Sequence, residues 1–116
     1  MLRVFLVDDD DNNRLTLSVL LEEDGFDVAV AASFGEALSV LESEVTFDLF
    51  LLDHSLGDGI GADLIPLIRT RFPQAKVVTI SGSLGSESAS AAADLAVAKA
   101  LHFPILAEKL RALARH

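Results

Sequence analysis

Apolar residues follow two alternating patterns along the chain: short continuous runs, and longer segments with helical spacing. The continuous runs have the length of strands and predict strands that are covered on both faces of a sheet. Runs of this kind predict five strands, at residues 4–7, 28–31, 47–52, 76–80 and 95–98. Their number predicts a five-stranded sheet.

The segments between these runs place apolar residues three and four positions apart, which is typical of helices. Gly25 supplies a stop for the first helix, and Ser33 with Glu36 forms a capping box for the second. Pro66 and Pro104 fit first turns, where a missing N–H costs nothing. The apolar positions are Leu15, Val19 and Leu20; Phe34, Leu38 and Leu41; Leu64, Ile68 and Phe72; and Leu106, Leu110 and Leu113.

Strands and helices therefore alternate, and the Ser/Ala-rich segment 85–93 predicts a weaker fourth helix. This alternation indicates an α/β fold, with a five-stranded parallel sheet, helices on both faces and right-handed crossovers. In such a sheet, ligands bind beyond the carboxyl ends of the strands, where the strand order reverses. The 116 residues are enough for one core, so we expect a single domain spanning 1–116.

The composition excludes several classes of function. The chain has no cysteine, which excludes disulfides, thiolate metal sites and a cysteine nucleophile. The net charge of −9 argues against direct binding of nucleic acid by this domain, because a phosphate backbone would repel it. The apolar runs are too short to span a membrane, and Asp8 comes too early for a signal peptide. We therefore expect a cytoplasmic protein without a membrane partner.

Four of the five predicted strands end on side chains that suit phosphoryl chemistry. The first strand runs into Asp8 and Asp9, the third ends on Asp53, the fourth on Ser81 and the fifth on Lys99. Because the carboxyl ends of parallel strands share one edge of the sheet, these side chains are expected to share one crevice. Three acids, a hydroxyl and an ammonium suit a divalent cation and a phosphoryl group.

Mg²⁺, with Mn²⁺ as a substitute, is the cation that this set favours, because it prefers oxygen ligands and needs few protein carboxylates. Asp9 and Asp53 are expected to bind it directly, and Asp8 directly or through water. The cation would relieve the repulsion among the acids. One carboxylate oxygen can then attack phosphorus, while Lys99 and Ser81 bind the transferring oxygens.

Each of these residues also has a purely structural interpretation. Acids after a strand often cap the next helix, and we expect that role for Asp10, Asp11 and Asn12. Ser81 alone would be a turn residue, and Lys99 alone a solvated charge at a strand end. The agreement of four strand ends favours the functional interpretation.

The same residues resemble the receiver domain of two-component response regulators, over nearly the whole chain. Gly57 stands where that family usually has proline. The similar segments are 5–10 (the acidic motif after the first strand), 48–53 (the phosphoacceptor strand), 56–61 (the loop that follows), 79–82 (the Ser/Thr switch position) and 97–99 (the lysine strand).

The resemblance implies a flavodoxin-like (βα)5 fold with strand order 2-1-3-4-5. It implies that Asp53 is the phosphoacceptor and that Ser81 and Lys99 bind the phosphoryl oxygens. The implied metal ligands are Asp8, Asp9, Asp53 and the backbone carbonyl of Ser55. It also implies a bacterial pathway in which a histidine kinase or histidine phosphotransfer protein is the donor. The domain would not be an enzyme beyond its own phosphorylation and slow dephosphorylation, and its output partner is not identified.

Three departures from the family pattern concern output rather than the pocket. Ala100 follows Lys99 where proline is usual, and Ala96 occupies the position of the usual switch aromatic. The segment between Ser81 and Lys99 is shorter than usual by about one helical turn. These departures leave open a degenerate receiver that acts as a phosphorylation-independent protein-interaction module.

A more distant alternative is a Mg²⁺-dependent phosphohydrolase of the haloacid dehalogenase type, whose nucleophile lies on the first strand. Its motif requires Asp-x-Asp and then Thr or Val two residues later. Asp8 and Asp10 fit this motif, but Asn12 does not.

Overall fold

The computed structural model describes residues 1–82, 93–99 and 101–115 and contains the predicted sheet. The strands are β1 (Arg3–Val7), β2 (Asp27–Ala31), β3 (Leu49–Asp53), β4 (Ser55–Leu56), β5 (Gly59–Ile60), β6 (Lys76–Ser81) and β7 (Leu95–Ala98). The helices are α1 (Asp11–Glu23), α2 (Phe34–Leu41), α3 (Ile65–Arg71), which follows a 3₁₀ turn at Gly61–Leu64, and α4 (Phe103–Ala114).

The main sheet is parallel throughout and has the order β2-β1-β3-β6-β7. Strands β4 and β5 form a separate antiparallel hairpin, so this order confirms the predicted flavodoxin-like order of 2-1-3-4-5. Strands β1 and β3 are neighbours, with Val7 opposite Leu52. The residues after β1 therefore meet the end of β3 at the point where the strand order reverses.

Both faces of the central strands are buried, which explains their continuous apolar sequence. On one face α2 and α3 cover a cluster that includes four phenylalanine rings. The rings of Phe5, Phe47, Phe50 and Phe72 pack with centroids 5.0 to 6.2 Å apart. On the other face α1 and α4 cover a second cluster. Burial of a side chain of this size contributes about 2 kcal/mol, so the two clusters hold the strand ends in place.

The predicted helix signals are largely confirmed. Gly25 has a φ of +97°, and the Phe26 N–H donates to the Leu21 carbonyl at 3.1 Å, which ends α1 in a glycine cap. Pro66 and Pro104 lie in the first turns of α3 and α4.

The capping box at α2 is half confirmed. Ser33 Oγ accepts a hydrogen bond from the Glu36 N–H at 3.1 Å, as predicted. Glu36 Oε1, however, accepts from the N–H of Ala32 at 3.3 Å, one residue before the expected partner.

The apolar face of α1 differs from the one that the sequence spacing indicated. Leu15 is 65% exposed and Val19 is 43% exposed, whereas Leu21 is fully buried and Leu17 packs against the core. Leucine occurs on several sides of this helix, so spacing alone does not identify the side that meets the sheet. The third strand also begins at Leu49 rather than Phe47, although Phe47 is buried.

Residues 83–92, Ala100 and His116 lie outside the described residues. The predicted fourth helix at 85–93, apart from its last residue, and the position where Ala100 replaces the usual proline therefore lie outside them as well. Within the described part of the chain, no helix is both long enough and apolar enough to cross a bilayer.

Candidate functional site

The carboxyl edge of the sheet brings the predicted residues together. Asp8, Asp9 and Asp53 each offer a carboxylate oxygen, and these oxygens lie within 4.8 Å of one another. Asp8 and Asp53 are buried, while Asp9 is exposed. An open cleft of about 420 Å³ is lined by Asp9, Asp53, His54, Ser55, Ser81, Gly82 and Lys99.

Backbone hydrogen bonds between neighbouring strands position Lys99 and Ser81 at this cleft. The Lys99 N–H donates to the Ser81 carbonyl at 2.9 Å, which fixes the end of β7 against the end of β6. The His54 N–H likewise donates to the Ile80 carbonyl at 2.8 Å. Lys99 Nζ then reaches Asp53 Oδ2 at 3.3 Å, which forms the ion pair of the cleft.

Asp8 is held more tightly than the sequence indicated. Its Oδ1 accepts from the Asp10 N–H at 2.9 Å, and its Oδ2 accepts from Asn13 Nδ2. Arg14 Nη1 donates to the backbone carbonyl of Asp8 at 2.9 Å. Asn13 and Arg14 were not among the predicted site residues. The available signal was their position in the first turn of the helix that follows an acidic strand end.

The acids after Asp9 have the capping role that was predicted. Asp10 is the N-cap of α1, and its Oδ1 accepts from the Asn12 N–H at 3.1 Å. Asp11 lies in the first turn of the helix, where its charge is favourable. The Asp10 carboxylate is therefore used to cap the helix. This role argues against Asp10 as the second acid of a phosphohydrolase.

Asp53 is an unusual carboxylate. Burial and the charge of Asp8 raise its pKa from 3.8 to about 6, although Lys99 acts in the opposite direction. Burial on its own would lower the pKa of Lys99, but the charges of Asp53 and Asp8 outweigh it, and the pKa lies above its usual value. A site with this much uncompensated negative charge is suited to a cation.

The raised pKa of Asp53 predicts a specific dependence of stability on pH. Between pH 3.8 and about 6 the folded protein retains a proton that the unfolded chain has released. Raising the pH through this window therefore destabilises the metal-free wild type. Asp53→Asn removes this effect and is expected to be more stable than wild type at neutral pH by about 3 kcal/mol.

Denaturant unfolding in EDTA, at several values from about pH 4 to pH 7, measures this difference. Asp63→Asn, at an exposed aspartate in the 3₁₀ turn before α3, is the matched control and should keep the wild-type slope. Parallel pH profiles for wild type and Asp53→Asn would contradict the prediction.

The donor set fits Mg²⁺ on chemical grounds. Three carboxylates converge at the ends of β1 and β3, and two of them are buried. Hard oxygen ligands of this kind are what Mg²⁺ prefers. The cleft also leaves space for waters and for a phosphoryl group beside the acids.

Two glycines that sequence analysis treated as loop residues are required by close contacts. A Cβ on Gly61 would lie 2.0 Å from the backbone oxygen of Asp53, and a Cβ on Gly59 would lie 2.8 Å from the Phe34 ring. Asp58, in the same loop, accepts from the N–H groups of Phe34 at 2.8 Å and Gly35 at 3.1 Å. These bonds hold the pKa of Asp58 below its usual value and fasten the loop to the start of α2.

His54 also lines the cleft, although the sequence did not predict a role for it there. Its Nδ1 is the one buried side-chain nitrogen or oxygen without a hydrogen-bond partner among residues 1–82, 93–99 and 101–115. His54 follows Asp53 in the chain and is one of the residues that line the cleft.

Comparison with known proteins gives consistent matches. The family model described as response regulator receiver domain matches residues 4–115. The alginate biosynthesis transcriptional regulatory protein AlgB of Pseudomonas putida is 33% identical over 109 residues, which are 94% of this chain. The chain spans only 24% of the length of that relative.

Two solved structures are similar over almost the entire chain. The response regulator protein TrrA of Thermotoga maritima, solved in complex with Mg²⁺-BeF, has a TM-score of 0.86 and 31% identity, and covers 97% of this chain and 99% of its own. A CheY-like response regulator receiver domain protein of Methanospirillum hungatei has a TM-score of 0.90 and 30% identity, with 99% and 94% covered.

Proposed function

The chain belongs to the family of response regulator receiver domains, and on that basis we propose that it accepts a phosphoryl group on Asp53 in a two-component pathway. The observation that carries the proposal is the position of Asp53. Its buried carboxylate lies at the end of β3, beside Asp8 and Asp9 and 3.3 Å from Lys99 Nζ. A histidine kinase or histidine phosphotransfer protein would be the donor.

In the proposed transfer, an Asp53 carboxylate oxygen attacks phosphorus and the bond from phosphorus to the donor's histidine nitrogen breaks. The products are an acyl phosphate on Asp53 and the neutral donor imidazole, once that nitrogen has recovered a proton. Lys99 shifts its hydrogen bond from Asp53 to a phosphoryl oxygen, and the Ser81 hydroxyl donates to another.

We propose Asp8, Asp9, Asp53 and the backbone carbonyl of Ser55 as the ligands of Mg²⁺, with Mn²⁺ as a substitute. The ion would supply positive charge to the phosphoryl oxygens during transfer. The similar TrrA structure was solved with Mg²⁺-BeF, which supports a cation at the equivalent edge of this sheet.

The acyl phosphate would then bias a two-state equilibrium of the domain, because phosphorylation adds phosphoryl oxygens that Ser81 and Lys99 can bind. The domain, taken as one unit over 1–116, would work in the cytoplasm as a signalling component. It would catalyse no reaction other than its own phosphorylation and slow dephosphorylation, and its output partner is not identified.

Intact mass after incubation with acetyl phosphate and Mg²⁺ tests the proposal. We expect the addition of one phosphoryl group to wild type, and none to Asp53→Asn or to wild type in EDTA. An unmodified wild type that is folded and binds Mg²⁺ would contradict it.

The degenerate receiver is a second candidate, favoured by Ala96. This residue lies on β7 opposite Thr79 and is exposed, so no aromatic side chain is available there to move toward Ser81. Amide hydrogen exchange with and without phosphorylation distinguishes the candidates. Changes confined to the cleft would favour a constitutive interaction module, whereas changes that extend beyond it would favour a switching receiver.

A further inference from the structure

The hydrogen bond from Asn13 to Asp8 is a feature of the site that the proposed function does not use. Asp8 is 1% exposed, and each of its carboxylate oxygens accepts a hydrogen bond. One donor is the backbone N–H of Asp10, which a residue of almost any type would supply. The other donor is the side-chain amide of Asn13, which is specific to this sequence.

Asn13 is itself fixed in place by the start of α1. Asp10 caps the helix and accepts from the N–H groups of Asn12 and Asn13. Arg14 extends from the next position and donates to the Asp8 carbonyl at 2.9 Å. The first turn of α1 therefore contacts Asp8 at both its side chain and its backbone, which leaves little rotational freedom to the carboxylate.

The chemistry of the donor matters as much as its position. Lys99 already pairs with Asp53, and a second ammonium or guanidinium at position 13 would cancel charge that a cation needs. A neutral amide orients the carboxylate and leaves its negative charge in place. In metal sites generally, partners of this kind fix the orientation of a ligand, and their loss weakens metal affinity by tenfold or more.

We propose that Asn13 is a positioning residue, which holds the Asp8 carboxylate in the orientation that a divalent cation requires and so sets the affinity of the site for Mg²⁺. This role rests on the proposed function, since it assumes that the three acids bind the ion. Asn13 would act through Asp8, without touching the ion or the phosphoryl group.

The test compares Mg²⁺ affinity, measured by isothermal titration calorimetry, in wild type and Asn13→Leu. Leucine has a similar volume and no donor, and we expect its Kd for Mg²⁺ to be roughly tenfold weaker. Asn13→Gln retains an amide and should recover part of the affinity. Asn12→Leu is the matched control, because Asn12 is exposed on the same turn, and it should bind as wild type does.

A second readout separates positioning from a merely structural role. For Asn13→Leu, the Mg²⁺ concentration that half-saturates phosphorylation by acetyl phosphate should rise, while the rate at saturating Mg²⁺ stays near wild type. Wild-type Mg²⁺ affinity in folded Asn13→Leu would overturn the proposal, even if thermal stability fell. If Asn13→Leu does not fold, Asn13→Ser, whose side chain is too short to reach Asp8, provides the same comparison.

Calorimetry measures Mg²⁺ binding without phosphoryl transfer. The experiments can therefore contradict the phosphorylation of Asp53 and the positioning role of Asn13 independently. A wild type that binds Mg²⁺ but is not phosphorylated would overturn the proposed function and leave the calorimetric comparison valid. A wild type that is phosphorylated, together with Asn13→Leu of unchanged affinity, would overturn only the role of Asn13.

Discussion

Gly61→Ala is expected to abolish phosphorylation of Asp53 and to destabilise the fold by roughly 3 kcal/mol. Gly61 is buried, and an added Cβ would lie 2.0 Å from the Asp53 carbonyl oxygen and 3.0 Å from its carbonyl carbon. These are backbone atoms, which cannot rotate away as a side chain does. Either the loop lifts from the cleft, or the Asp53 peptide moves and takes its carboxylate away from Lys99.

Denaturant unfolding and phosphorylation by acetyl phosphate measure the two effects of Gly61→Ala. Gly57→Ala is the matched control in the same loop, because its Cβ would lie at an ordinary 3.8 Å from Asp9 Oδ2. We expect Gly57→Ala to behave as wild type in both measurements. A Gly61→Ala protein with wild-type stability and labelling would show that the loop does not constrain Asp53.

Lys99→Met is expected to slow phosphoryl transfer on the order of 100-fold at saturating Mg²⁺. The ammonium lies 3.3 Å from Asp53 Oδ2, where it can pass directly to a phosphoryl oxygen as the charge develops. Methionine retains the length of the chain and removes the charge. The rate of transfer at saturating Mg²⁺ should therefore fall, whereas the Mg²⁺ concentration that half-saturates transfer should stay the same or decrease, because a positive charge beside the acids is lost.

The measurement for Lys99→Met is the initial rate at which the protein gains the phosphoryl group from acetyl phosphate, over a range of Mg²⁺ concentrations. Lys109→Met removes a similar charge from an exposed position on α4 and should leave the rate unchanged. A rate for Lys99→Met close to that of wild type would exclude the proposed phosphoryl contact.

The strand ends of the site were predictable because burial on both faces leaves a plain signal in the sequence. Strands β1 and β3 are apolar almost throughout, and their parallel pairing forces Asp8, Asp9 and Asp53 to one edge. The alternation of elements predicted a parallel sheet covered on both faces, whereas the strand order 2-1-3-4-5 came from the resemblance to receiver domains.

The loop and the helix contacts were not predictable, because they depend on distances between segments. Hairpin strands β4 and β5 have two residues each, too few for a periodic pattern. The need for Gly61 arises only when the chain returns to the Asp53 carbonyl. Leu17 and Leu21 face the core while Leu15 does not, and a leucine-rich helix gives no compositional sign of this difference.

Reductive trapping of the phosphorylated protein tests most directly the claim that Asp53 accepts the phosphoryl group. Borohydride converts an aspartyl phosphate to homoserine, and peptide mass spectrometry then locates the modified residue. We predict homoserine at position 53 after incubation with acetyl phosphate and Mg²⁺, and none in EDTA. Homoserine at Asp8 or Asp9 instead, or none at any position in folded protein that binds Mg²⁺, would contradict the account.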